Sequence, residues 1–201
     1  MNETSPDPTK NRRPLASRQR KVIHRLVAAL LRTGITPDQI SAAGIVAAVL
    51  AAPALWAAPG WTWSFLIAGV FIQLRLLSNL LDGLVAVEGG RAGRYGALWN
   101  ELPDRLEDTL ILASFGFATG SLVLGLCAGL AAFACANVRL MGGALGQNQS
   151  FIGPMAKQHR MAAITLGCLI GLGESLAGQP PRLAQGLLWL VLAGSLFTIA
   201  R

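Results

Sequence analysis

The sequence predicts an all-α integral membrane protein, with six transmembrane helices preceded by an amphipathic N-terminal interfacial helix. Three observations carry that expectation. Of 201 residues, 53% are apolar and only 13% charged, where a soluble globule carries about a quarter charged residues. The mean hydropathy is +0.50. Uncharged apolar runs of about 20 residues, enough to cross roughly 30 Å of hydrocarbon as a helix, recur along the chain. A disordered chain is excluded, and an ordinary soluble domain is disfavoured. Cys127, Cys135 and Cys168 are odd in number and lie in apolar runs, so they read as small core residues rather than a disulfide framework.

Residues 1–16, rich in Pro, Asn, Arg and Thr, read as a flexible basic tail. No long apolar stretch follows a short basic start, so the N-terminus is expected to be retained rather than cleaved as a signal. Over residues 17–33, Val22, Ile23, Leu26, Val27, Leu30 and Leu31 recur at helical spacing, with Lys21, His24, Arg25 and Arg32 between them. That pattern describes a basic juxtamembrane helix on a membrane surface, with a soluble docking helix as the alternative.

Residues 34–201 hold the six spans. The first runs from Ile40 to Ala58 and ends at the Pro59-Gly60 turn. The second starts at Trp61 and Trp63, residues suited to the interface, and continues through Leu81 with Arg75 as its single interior charge. From Thr109 to Val138 the chain is uncharged for too long to be one helix and too short for two, with its break at Thr119-Gly120-Ser121. The third span must therefore begin near Gly96, taking Asn100, Glu101, Asp104, Arg105, Glu107 and Asp108 into the membrane. The fourth runs from Ser121 to Met141, the fifth from Arg160 to Leu176, and the sixth from Leu183 to Ala200.

Eight of the 17 Lys and Arg residues precede Thr33. Arg91, Arg94, Arg139, Lys157, Arg160 and Arg201 fall on the same side of the predicted topology, and Arg182 alone on the other. The positive-inside rule then places both termini in the cytoplasm. The net charge of +7 needs no nucleic-acid partner, because the basic cluster borders a membrane and lacks interleaved aromatics.

Six of the ten acidic residues, Asp82, Glu88, Glu101, Asp104, Glu107 and Asp108, lie around one cytoplasmic loop. Intramembrane carboxylates are costly unless paired, metal-bound or facing water. Asn79 and Asp82 are three apart near the end of the second span, while Gly96, Asn100, Asp104 and Asp108 recur every four residues, so each set shares a helical face. Two antiparallel helices can bring Asn79, Asp82, Asn100 and Asp104 to one oxygen-lined spot, suited to Mg²⁺ or Mn²⁺. Gly83 and Gly96 would let a substrate approach the backbone. The competing reading pairs these acids with Arg91, Arg94 and Arg105 at a wet helix end. Glu88 reads as a solvated loop residue, His159 as an interfacial one, and Asp108 as either a ligand or a buried partner of Arg105 or Arg139. Arg75 is expected to snorkel to the cytoplasmic edge or to neutralise an acid of the site.

The run Asn79, Asp82, Gly83, Ala86, Val87, then Gly96, Asn100, Asp104, resembles the signature of the CDP-alcohol phosphatidyltransferase family, D-x-x-D-G-x-x-A-R, eight residues, then G-x-x-x-D-x-x-x-D. All spacings are kept, with Asn79 and Asn100 in place of the first and third Asp and Val87 in place of Arg. Thr36-Pro37-Asp38 with Ser41 is similar to the T-P-N-x-x-T that opens the family's first span. Asn137 to Arg139 and Gly153 to Arg160 resemble its basic segments.

The resemblance implies transfer of a phosphatidyl group from CDP-diacylglycerol or another CDP-alcohol to a small alcohol or phospho-alcohol, releasing CMP, in phospholipid biosynthesis at a bacterial inner membrane. It implies Asn79, Asp82, Asn100 and Asp104 around Mg²⁺ or Mn²⁺, with Asp104 also the general base. Two carboxylates in place of four favour one cation over two, unless Glu88 or Asp108 moves in. Gly83, Ala86 and Gly96 would lie along the nucleotide, with Arg91 or Arg94 standing in for the missing Arg. Arg139, Lys157 and Arg160 would hold an acceptor phosphate or serve as positive-inside anchors. The alternatives are a catalytically weakened subunit that binds nucleotide or lipid, and a small transporter, against which the absence of a visible internal repeat argues. Gly125, Gly129, Gly142 and Gly143 permit close helix contact within a monomer or a dimer, and a homodimer is expected from the resemblance.

Overall fold

A computed structural model describes residues 21–89, 96–144 and 155–201, and of Lys21, residues 96–102 and Ala144 the backbone alone. The expected tail, Arg91, Arg94 and the loop before Met155 lie outside these residues. The described residues form seven α-helices: α1 Lys21–Thr33, α2 Pro37–Ala57, α3 Ser64–Glu88, α4 Gly96–Ala118, α5 Leu122–Ala144, α6 Lys157–Leu176 and α7 Arg182–Ala200. By length and composition α2, α3, α5 and α7 are apolar enough to cross a membrane. The expected third and fifth spans, α4 and α6, form as helices; α4 carries its charges in its first half, and α6 carries Lys157 and Arg160 at its start and Glu174 near its end.

Local chemistry sets the boundaries. Thr36 caps α2 through a reciprocal pair: its hydroxyl accepts from the Gln39 amide at 3.2 Å, and its own amide donates to the Gln39 side chain at 3.0 Å. Pro37 supplies the first-turn φ. Gly34 and Gly120 take φ of 75° and 83°, which suit glycine at the ends of α1 and α4. The Gly120 turn falls at the expected break. The second span begins at Ser64, because Trp61 to Trp63 form a turn, and it runs past Leu81 to Glu88. At 1.5 Å per residue its 25 residues reach about 37 Å, more than the hydrocarbon needs. Glu174 accepts from the amides of Leu183 and Ala184 at 2.8 and 3.0 Å, closing the α6–α7 hairpin.

Phe65 and Ile72 of α3, Leu55 of α2, Ile111 and Phe115 of α4, Ile164 of α6 and Leu188 of α7 form the buried centre, where Cys168 also packs. Cys135 is buried as well, whereas Cys127 is exposed, and none is disulfide-bonded. Val46, Val70, Val123, Leu130 and Trp189 point outward, an outer surface suited to lipid. In such a solvent, helices associate by close packing rather than by apolar burial, and small residues allow it. A Cβ on Gly125 would meet the Leu112 carbonyl oxygen at 2.5 Å, and one on Gly129 would meet Thr109 Cγ2 at 3.0 Å. Both glycines therefore serve the α4–α5 contact inside one chain, and they lend no support to the expected dimer.

The apolar stripe of α1 is also spent within the molecule. Val27 is fully buried and, with Ile23, Leu30 and Leu31, packs on Leu81, Leu84 and Val85 of α3 and Ile40 of α2. Docking on protein thus replaces membrane contact for these residues, while Val22 and Leu26 stay exposed.

Candidate functional site

The polar interior lies where the second half of α3, the first half of α4 and the first turn of α6 meet. Arg75 of α3 is completely buried. Its Nε donates to Glu107 Oε2 at 2.7 Å, and its Nη2 donates to the Asp104 carbonyl at 3.1 Å and pairs with Asp104 Oδ1 at 3.3 Å and Asp108 Oδ1 at 2.7 Å. Arg160 of α6 donates to Asp108 Oδ2 at 2.9 Å and to the Met155 carbonyl at 3.0 Å. Lys157, at the start of α6, pairs with Asp104 Oδ2. Three acids of α4 are thus matched by three cations from α3 and α6, the arrangement that makes buried charge tolerable.

This network corrects one expectation. Asp108 pairs with Arg75 and Arg160, not with Arg105 or Arg139; Arg105 turns toward α5, where it donates to Asn137 Oδ1 at 2.9 Å. Of the two expectations for Arg75, neutralising acids holds and snorkelling does not. Glu88 is not in a loop: it ends α3 and meets His24 Nδ1 at 3.0 Å. His159 is exposed, as an interfacial residue would be.

Above Arg75 on α3, at helical spacing, stand Asn79 and Asp82. Asp82 is 3% exposed, accepting from the Ser41 hydroxyl at 2.7 Å and from the Gly83 amide. Asp104 of α4 is tied to this face of α3 through Arg75. The side-chain amide nitrogen of Asn79 is buried without a hydrogen-bond partner; turning that amide over would present its oxygen to the same space. Asn100 lies one turn before Asp104 in α4, by backbone alone. Among the described residues no three His, Cys, Asp or Glu side chains form a metal-holding group. A donor set of Asp82, Asp104 and Asn oxygens nevertheless suits one hard divalent cation better than zinc.

On the other side of Asp104 a small cleft opens between α4, α5 and α6, with Arg105, Arg139, Lys157, Arg160 and Asp108 in its wall. The three residues expected to hold an acceptor phosphate therefore do come together. Two of them, Lys157 and Arg160, also neutralise Asp104 and Asp108, so among the described lining residues four cations face two acids, an excess of two positive charges. Gly83 and Ala86 follow Asp82 along α3, and Gly96 opens α4. Sequence reasoning gave no role to Glu107 or to the Ser41–Asp82 bond. The spacing of Arg75, Asn79 and Asp82 on one face was the available signal for the first.

No family model matches the chain. It is 34% identical over 110 residues to phosphatidylinositol phosphate synthase of Mycolicibacterium smegmatis, covering 52% of this chain and 48% of that one. With the corresponding synthase of Streptomyces avermitilis it shares 26% identity over 188 residues, 89% of this chain and 75% of the relative. In fold it matches the crystal structure of Mycobacterium tuberculosis phosphatidylinositol phosphate synthase with CDP-DAG bound, with a TM-score of 0.73 at 20% identity over 90% of this chain and 91% of that one. The same synthase in complex with manganese and citrate matches at a TM-score of 0.72, with 20% identity over 89% of this chain and 85% of that one. In sequence the chain is thus similar to phosphatidylinositol phosphate synthases, and in fold to a solved one. The matched segment spans about half the length of the M. smegmatis relative.

Proposed function

We propose that the chain transfers a phosphatidyl group from a CDP-alcohol, such as CDP-diacylglycerol, to an acceptor alcohol and releases CMP. The observation that carries this reading is that Arg75, on the α3 face that also holds Asn79 and Asp82, binds Asp104 of α4 beside a cleft lined by Arg105, Arg139, Lys157 and Arg160. Asn79, Asp82, Asn100 and Asp104 would hold one Mg²⁺ or Mn²⁺. Bound there, the cation would draw charge from the transferring phosphoryl group and from the departing CMP. Asp104 takes the proton of the acceptor hydroxyl as its oxygen bonds to phosphorus. The bond from phosphorus to the CMP oxygen breaks, and CMP leaves as the anion.

Gly83, Ala86 and Gly96 leave room for the nucleotide along the backbone, with Arg91 and Arg94 contributing charge from the α3–α4 connection. Arg139, Lys157 and Arg160 give the cleft its preference for a phosphorylated acceptor, and the names of the relatives favour a phosphorylated polyol. The helices α2 to α7 act as six spans, with α1 at the cytoplasmic face of a bacterial inner membrane and the site opening to that side. Incubating the purified protein in lipid with CDP-diacylglycerol, Mg²⁺ or Mn²⁺ and a panel of alcohols tests this. The expected result is CMP release with a phosphorylated polyol. Folded protein that binds CDP-diacylglycerol yet releases no CMP with any acceptor would favour a non-catalytic binding subunit.

A further inference from the structure

We infer that Arg75 is a positioning residue that holds Asp104 in its reactive place, an inference that rests on the proposed transferase reading. The argument begins with α4. Pro103, immediately before Asp104, lies inside the helix and donates no backbone hydrogen bond, so the turn that presents Asp104 lacks one rung of its ladder. Arg75 supplies an external hold at that point. One of its nitrogens reaches both the Asp104 carbonyl, at 3.1 Å, and Asp104 Oδ1, at 3.3 Å.

The same guanidinium is itself fixed. It is fully buried, and Glu107 and Asp108 grip it at 2.7 Å each from the next turn of α4. A planar fork can touch three carboxylates at once, whereas a lysine ammonium is a single point on a flexible stem. Arg75 also lies on the α3 face that carries Asn79 and Asp82, at spacings of four and three residues. It therefore couples the register of that face to the position of Asp104. Lys157 and Arg160 face the cluster from α6 but touch Asp104 Oδ2 and Asp108 Oδ2, on the side away from Arg75. Neither can replace a hold that comes from α3.

Neutralising Glu107 and positioning Asp104 are different jobs, and a pair of variants separates them. Arg75→Met leaves Glu107 buried without its partner and is expected to lower thermal stability. Arg75→Met combined with Glu107→Gln removes both members of that pair and should recover most of the lost stability. If Arg75 positions Asp104, the double variant keeps a loss in kcat on the order of a hundredfold, since a misplacement near 1 Å has about that effect. Its KM for CDP-diacylglycerol should stay within about threefold. Arg75→Lys, which retains the charge, should fold and still lose at least about tenfold in kcat. Recovery of wild-type kcat in the double variant, or full activity in Arg75→Lys, would overturn the inference. Should the wild-type protein release no CMP, the transferase reading fails on its own. A thermal double-mutant cycle of Arg75→Met with Asp104→Asn then decides the structural claim: non-additive effects support the hold on Asp104, and additive effects overturn it.

Discussion

Gly125→Ala probes the packing that carries the site, and its effect can be worked from one crossing. The added Cβ would meet the Leu112 carbonyl oxygen at 2.5 Å, Gly116 Cα at 2.9 Å and Ala113 Cα at 3.1 Å, all backbone of α4. No side chain can swing aside, and the closest contact is about 0.9 Å short of an ordinary 3.4 Å approach. Helices α4 and α5 must therefore part. Overpacking of this kind costs about 1–3 kcal/mol, offset by up to about 1 kcal/mol from the better helix propensity of Ala. With the closest contact against rigid backbone, the upper part of that range applies, a net loss of about 1–2 kcal/mol, or a fall in Tm of roughly 2–8 °C for a chain of this size. Gly173→Ala is the control, because nothing lies within 4 Å of its would-be Cβ. Tryptophan-fluorescence melts of both variants in the same detergent read the difference. A Gly125→Ala protein that melts with the wild type would refute the close α4–α5 approach.

Other perturbations follow from the polar network. Ser41→Ala removes the hydroxyl that orients Asp82 at 2.7 Å; binding of Mn²⁺, followed by electron paramagnetic resonance, should weaken about 10–100-fold, as loss of an outer-shell partner does. Unchanged affinity would detach Asp82 from any cation. Arg160→Met breaks the buried pair with Asp108 and should destabilise the fold by about 3–5 kcal/mol, read as a clear drop in Tm. Replacing His24 with Ala removes an exposed contact to Glu88 and should change stability by less than about 1 kcal/mol; a large loss would mean that α1 is held by that pair rather than by Val27.

The helices were legible because their signals are local. Uncharged runs near 20 residues, the Pro59-Gly60 and Gly120 breaks and the Thr36 cap each act within a few residues of chain. The common face of Asn79 and Asp82, and that of Asn100 and Asp104, followed from helical spacing alone. What spacing does not contain is the partner across a helix interface. Asp108 has Arg105 and Arg139 as plausible mates in sequence, yet the rotation of α4 turns Arg105 to Asn137 and leaves Asp108 to Arg75 and Arg160. The α1 stripe was ambiguous for a related reason. An apolar face looks the same whether lipid or α3 covers it, and only packing distinguishes the two.

The most direct test of the central claim is CMP release from CDP-diacylglycerol by the wild-type protein and by Asp104→Asn, each with Mg²⁺ and after chelation, using the acceptor that the panel identifies. The account predicts release that requires both the cation and Asp104, with the variant slower by about 10²–10⁴-fold, the range that a general base contributes. Release that continues at the wild-type rate in Asp104→Asn would contradict it.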